Sequence, residues 1–208
     1  MKITAFIDLF PTFIQAFSLN IIIAVSAMAV GTGAGFYITK CHLSTYRFIQ
    51  IGAKALILIF RNVPSFVLLF YLVLIIPSQF SLGQQHVQIP AIAKAIFALG
   101  APVTAFACDY FLEIKNKGKP FQLAPWNQYF IVILMASTTA SIIGVKEIMA
   151  TANASIAMSG NNQMVLPIYS LVALWFITCS LFFSWFIKCL EQKFMTSKSK
   201  LKVTKKGH

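Results

Sequence analysis

The stretch Phe13–Ile38, FIQAFSLNIIIAVSAMAVGTGAGFYI, decides what kind of molecule this is. It contains no charged side chain and is longer than the roughly 20 apolar residues that carry an α-helix across about 30 Å of hydrocarbon. Within it, Ala27, Gly31, Gly33 and Gly35 put small residues on one face, where the backbone of another helix can approach closely. The segment reads as a membrane-spanning helix that packs tightly against a neighbour.

Four more apolar blocks follow. Leu56–Ile76 ends at Pro77 and is interrupted near its start by Arg61, Asn62 and Pro64. Proline removes a backbone donor and bends a helix, and an arginine so placed can snorkel toward the nearer headgroups, so a kinked span with one buried cation is expected. The block Ile92–Leu112 contains Pro102 and Asp109, and Trp126–Ile143 is uncharged but ends in the hydroxyls of Ser137, Thr138, Thr139 and Ser141. The last block is Val165–Ile187. The pattern predicts an all-α, polytopic transmembrane helix bundle of about five spans over residues 1–193, followed by a basic, disordered cytoplasmic tail at 194–208. Neither an internal repeat nor a second domain is evident.

Composition agrees. Of 208 residues, 58% are hydrophobic and 11% charged, and the mean hydropathy is +0.78, against about half apolar and a quarter charged in soluble domains. The five acidic residues are too few for a mixed-charge soluble surface. A formal net charge of +12 would suggest nucleic acid in a soluble domain, but here the basic residues lie between the apolar blocks and in the tail, without the interleaved aromatics of a base-stacking platform. No nucleic-acid partner is expected; the partner is the lipid bilayer.

Orientation follows from the same residues, because cytoplasmic loops collect Lys and Arg. Lys40, Arg47 and Lys54 separate blocks one and two, Lys115, Lys117 and Lys119 separate three and four, and Lys188, Lys193, Lys198, Lys200, Lys202, Lys205 and Lys206 follow block five. The connection Ser78–Pro90 has neither, and Gly144–Met164 has only Lys146, offset by Glu147. Five spans then place the N-terminus outside and the C-terminus in the cytoplasm. Within the last connection, Val145–Ala157 carries apolar residues at helical spacing, and a short interfacial helix is expected there.

Nothing in the chain assembles a catalytic or cofactor site. His42, His86 and His208 lie in separate connections or the terminus, with neither HExxH nor GxSxG present. No pair of histidines occupies facing blocks to ligate haem. Cys41, Cys108, Cys179 and Cys189 form no CxxC pair and read as reduced packing residues. The N-terminal apolar stretch, broken by Asp8 and Pro11, does not have the form of a cleaved signal peptide. Neither an enzyme nor a metal or cofactor protein is expected. The charges at membrane depth, Arg61 and Asp109, need a partner or water and are functional candidates for that reason. Ser137, Thr138, Thr139 and Ser141 either line a polar path or bond the carbonyls one turn back and satisfy a helix end.

Three segments resemble the permease subunits of bacterial ABC importers for polar amino acids, the histidine and glutamine permease-like family. Arg61-Asn62-Val63-Pro64, followed by Ser65-Phe66-Val67-Leu68-Leu69-Phe70-Tyr71, is similar to that family's Arg-Asn/Gly-x-Pro entry into the second span. Ala105-Phe106-Ala107-Cys108-Asp109 resembles its Ala-Tyr-x-x-Glu, with Leu112 where an arginine usually follows. The most specific match runs from Ser137 through Ser141-Ile142-Ile143-Gly144 to Glu147-Ile148, similar to Thr-Ser-Leu-Ala-Ser-x-Ile-Gly-x-x-Glu-Leu, with Met135-Ala136 replacing the Lys-Asp pair that normally precedes it. The departure with the largest consequence is Glu113–Pro125, EIKNKGKPFQLAP, which stands where the family carries its Glu-Ala-Ala coupling helices and has room for only about one or two helical turns.

The resemblance implies a type I ABC importer permease-like bundle in the bacterial inner membrane that moves amino acids or similar small polar solutes by alternating access. It also implies partners: a second permease as homo- or heterodimer, an ABC ATPase, and an extracytoplasmic solute-binding protein. Arg61, Asn62, Pro64, Asp109, Ser137, Thr138, Thr139 and Ser141 are the candidate solute-pathway residues. The shortened loop leaves an alternative, a degenerate permease without ATPase coupling that serves as a membrane partner or scaffold.

Overall fold

A computed structural model describes the backbone of residues 3–76, 79–82 and 85–204 and the side chains of residues 10–72, 74–76 and 88–193. Among these residues seven α-helices carry the architecture: α1 (Ile3–His42), α2 (Arg47–Asn62), α3 (Ser65–Ile75), α4 (Ala91–Lys117), α5 (Ala124–Ala136), α6 (Ile148–Ser159) and α7 (Val165–Thr204). A 3₁₀ segment, Ser137–Ile143, extends α5. One antiparallel hairpin, β1 (Gln79–Leu82) with β2 (Gln85–Gln88), joins α3 to α4, so the bundle is helical apart from this short ribbon. Residues 194–204 of the expected basic tail continue the α7 backbone, and 205–208 lie outside the described residues.

The centre of the bundle is the contact of α1 with α4, and its closeness follows from glycine. A Cβ placed on Gly31 would lie 2.5 Å from the Val103 Cβ and 2.6 Å from the Gly100 carbonyl oxygen; one on Gly35 would lie 2.6 Å from the Ala107 Cβ. Both glycines therefore let α4 backbone sit where any other residue would hold it off. Gly33, two residues along and pointing away, meets nothing within 4 Å. The single small-residue face expected from sequence is thus the i, i+4 series Ala27, Gly31 and Gly35, and Gly33 is not part of it. Because Gly31 meets residues 100–103 and Gly35 meets 104–108, α1 and α4 run parallel.

Around this axis a buried core forms from Phe13, Ile23, Leu69, Leu99, Leu134, Ile148 and Ile168, which brings α1, α3, α4, α5, α6 and α7 together. Phe17 packs edge-on against Trp175 and Phe176, with ring centroids at 6.0 and 5.1 Å. Outward faces are equally apolar: Leu74, Leu166 and Trp185 are 81%, 77% and 62% exposed. An apolar surface this continuous suits hydrocarbon as the surrounding medium.

Among the described residues four helical segments are long and apolar enough to cross a membrane, Phe10–His42, Ala91–Lys117, Ala124–Ile143 and Asn162–Lys193, and the sharply bent pair α2 and α3 counts as a fifth when taken together as one broken span. That pair corrects the expected second span. It is not one kinked helix beginning at Leu56, since α2 already begins at Arg47 and meets α3 at a bend of 106°. The break has a local cause: Val63 is extended (φ −84°, ψ 122°), as residues before proline prefer, and Pro64 opens α3 by accepting Val67 N–H and Leu68 N–H on its carbonyl. Most of the connection expected as a loop around Arg47 and Lys54 is therefore helix. The helix expected within Val145–Ala157 is present as α6, packed on α1 and α7 through residues that include Ile148 and Ala152.

Candidate functional site

The fold brings the candidate residues to two places. At the first, α2 ends beside α4, and the Arg61 Nη2 lies 2.6 Å from both carboxylate oxygens of Asp109. The two side chains remain 53% and 47% exposed, so the pair sits at the rim of the bundle. Asn62 turns back to donate to the Leu58 carbonyl at 2.7 Å, closing the last turn of α2. Arg61, Asn62 and Pro64 thus form a corner, and Asp109 anchors it to α4.

The second place is the 3₁₀ segment, where every candidate hydroxyl donates to a carbonyl three residues back: Ser137 to Leu134, Thr138 to Met135, Thr139 to Ala136 and Ser141 to Thr138, all at 2.7–2.8 Å. These bonds take up carbonyls that a tightening helix leaves poorly matched. Ser137 does more. Fully buried, it accepts a 2.8 Å bond from the Asn20 amide of α1, and that same amide donates to the Glu147 carboxylate at 2.8 Å. The Asn20 carbonyl oxygen accepts Ile148 N–H at 3.1 Å.

Glu147 completes this buried knot as the N-cap of α6, accepting Met149 N–H and Ala150 N–H at 3.0 and 2.9 Å. Gly144, in the left-handed region at φ 87°, makes the turn that delivers it. Burial pushes the Glu147 carboxyl up from its ordinary range, while the Met149 N–H, the Asn20 amide and the Ala150 N–H pull it down; burial outweighs them. No hydrogen bond among the described residues joins this knot to the Arg61–Asp109 pair.

Sequence reasoning passed over Asn20, since a lone amide in an apolar block carries little signal. It met Glu147 as a loop charge and as part of the Ser137–Ile148 resemblance, without assigning it a buried partner. A sharper miss is Lys94, a cation inside the third apolar block: it is buried and donates to the Ile76 carbonyl at 2.7 Å, tying the end of α3 to the start of α4.

The connection from α4 to α5 is held down on three sides. The Tyr110 hydroxyl accepts Gln122 N–H and donates to the Gln122 carbonyl, both at 2.8 Å. Glu113 receives Lys117 and Lys119 at 3.0 and 2.7 Å. From α7, the Glu191 carboxylate accepts Leu123 N–H and Ala124 N–H at 2.8 and 3.0 Å, capping the positive end of α5. An open cleft of about 340 Å³ remains between this strap and α4, lined by Phe106, Asp109, Tyr110 and Glu113 among others. No group of three or more His, Cys, Asp or Glu side chains is placed to hold a metal ion among the described residues.

No family model matches the chain, and no curated protein matches its sequence. Its fold does match a solved structure described as "Crystal structure of an amino acid ABC transporter with histidines", with a TM-score of 0.74 and 17% sequence identity, over 93% of this chain and 99% of that one. With that extent of superposition, the chain has an amino acid ABC permease-like fold.

Proposed function

We propose that this chain is a membrane-spanning permease subunit of an ABC-type importer for amino acids or similar small polar solutes. The observation that carries the reading is the fold match, which covers nearly all of both chains. The bundle would sit in a bacterial inner membrane, its Lys-rich ends inside, working as a dimer with an ABC ATPase and an extracytoplasmic binding protein. The parallel course of α1 and α4 supports this arrangement, because like-directed spans need an odd number of crossings between them, here the α2–α3 pair.

Arg61, Asn62, Pro64 and Asp109 on one side, and Ser137, Thr138, Thr139 and Ser141 on the other, stand as the proposed solute-pathway residues. The test is uptake of labelled amino acids by proteoliposomes containing this chain with the ATPase and binding protein of the same genome. ATP-dependent accumulation is expected, and its absence with every such set would overturn the reading. A cysteine at Asn161 should react with an impermeant external reagent in intact cells and one at Lys117 should not; the reverse pattern would overturn the orientation.

One observation favours a second reading, a degenerate permease without ATPase coupling. The chain between α4 and α5, Gly118 to Leu123, is tied to Tyr110, Glu113 and Glu191 and offers little to grip.

A further inference from the structure

Helix α2 lies against one side of the bundle. It packs through Ala53 and Ile57, the latter against Ala105 and Cys108 of α4, and turns the opposite side outward, with Phe48, Ile51, Leu58 and Ile59 being 92%, 55%, 60% and 51% exposed. Beside this apolar face runs a basic stripe: Arg47, Lys54 and Arg61 recur every seven residues and so stand almost in line along the helix. No acidic residue occurs in α2.

Its direction can be read from its neighbours. Arg61, just before α3, meets Asp109, and Ile76, just after it, meets Lys94, so α3 runs antiparallel to α4. If α4 crosses the bilayer, the 106° bend between α2 and α3 lays α2 close to the membrane plane. Asp109 lies eight residues before Lys117, the end of α4, which puts the Arg61 end of α2 roughly 12 Å inside that end at 1.5 Å per residue. Lys40 at the end of α1 and Lys115, Lys117 and Lys119 mark the same end of the bundle.

We propose that α2 is an in-plane helix that binds anionic phospholipid, with Arg47 and Lys54 at the headgroup phosphates and Phe48, Ile51, Leu58 and Ile59 among the acyl chains. An apolar face bordered by cations is what an interfacial helix needs to hold anionic lipid. The rival occupant is a second copy of this chain, and charge argues against it. Among the described side chains the acidic groups are engaged already: Asp109 with Arg61, Glu113 with two lysines, Glu147 in the buried knot and Glu191 at the α5 cap. None is left to face Arg47 and Lys54 across a dimer contact. The inference rests on the membrane reading of the bundle and not on transport, so its test reads no transport.

A benzoylphenylalanine photocrosslinker at position 48 of the full chain, irradiated in native membranes, should yield a phospholipid adduct by mass spectrometry. A crosslinked dimer or an adduct to another protein would overturn the proposal. In parallel, melting is compared in nanodiscs of phosphatidylcholine with and without phosphatidylglycerol. The anionic lipid should raise the melting temperature by several degrees, and Arg47→Gln/Lys54→Gln should lose most of that rise. Arg47→Lys/Lys54→Arg and the control Lys188→Gln/Lys193→Gln should keep it. A rise of equal size in the Gln/Gln variant would overturn the assignment.

Discussion

Asn20 of α1 and Glu147 at the head of α6 are joined by a 2.8 Å hydrogen bond across 127 residues of chain, both fully buried. Asn20 also serves Ser137 and Ile148 N–H, so one side chain satisfies three groups from two further segments. Asn20→Leu should therefore lower stability by about 1–3 kcal/mol for the Ile148 N–H it leaves unpaired, with a further loss where the Glu147 carboxyl keeps only Met149 and Ala150 N–H. Asn20→Asp should be worse, since it sets a second acid against Glu147. Melting in mild detergent checks both; an unchanged midpoint for Asn20→Leu would mean that water takes over the bonds.

A pH dependence follows from the same knot. Burial raises the Glu147 carboxyl in the folded chain above its unfolded value, so the stability linked to its proton is full below the unfolded value and is lost as pH rises through the folded one. Wild type should lose stability relative to Glu147→Gln, which carries no proton to lose, as pH rises above the ordinary carboxylate range. Melting curves of the two across that rise in pH should converge at the acid end, and parallel curves would show that Glu147 does not titrate there.

The glycines separate cleanly. Gly31→Ala and Gly35→Ala each drive a methyl into α4 and should cost about 1–3 kcal/mol, the usual range for overpacking. Gly33→Ala meets open space and should be neutral or slightly stabilising. Comparable losses in all three, measured by melting or by yield of folded protein, would contradict the α1–α4 contact.

Much of this was legible in the sequence and some of it was not, for identifiable reasons. Four spans are long, mostly apolar runs, so hydropathy alone finds them, and the Arg61-Asn62-Val63-Pro64 break is visible because proline imposes it. The start of α2 is hidden: Arg47 and Lys54 recur at helical spacing on one stripe, and a reading tuned to uncharged blocks files them as loop. The hydroxyl run at Ser137–Ser141 is consistent in sequence with a path and with a helix end; each hydroxyl bonds a carbonyl three residues back, which leaves its oxygen free to accept a further bond, so neither reading is lost. Asn20 and Glu147 gain meaning only from meeting each other, which spacing along the chain does not encode.

For the rim pair, function and stability should part company. A half-exposed ion pair stabilises by at most about 1 kcal/mol, so Asp109→Asn should leave melting nearly unchanged. In a transport or assembly assay, however, Asp109→Asn should impair activity more than Glu113→Gln, because Asp109 anchors the α2–α3 corner whereas Glu113 holds only neighbouring lysines. Equal tolerance of the two changes would reduce Asp109 to a surface charge.

The last expectation concerns coupling to an ATPase, where a permease-like bundle meets a connection too small for the task. Glu113 to Lys117 belong to α4, and Ala124 and Pro125 already belong to α5. What remains is Gly118 to Leu123, folded back onto Tyr110 and Glu191. A power stroke needs an interface that holds under load, and stable specific interfaces bury more than about 1,000 Å² in total. So short a strap, held against its own bundle, supplies only a part of that, and freeing it would break the Tyr110 bonds and uncap α5. A homodimer of this chain should therefore bind an ABC ATPase weakly or not at all, and an active transporter containing it should include a second permease with a full coupling loop. Co-expression of the chain alone with each candidate ATPase of its genome, followed by purification in mild detergent, should give no stable complex. A complex with solute-stimulated ATP hydrolysis in the absence of a second permease would show that the strap couples on its own.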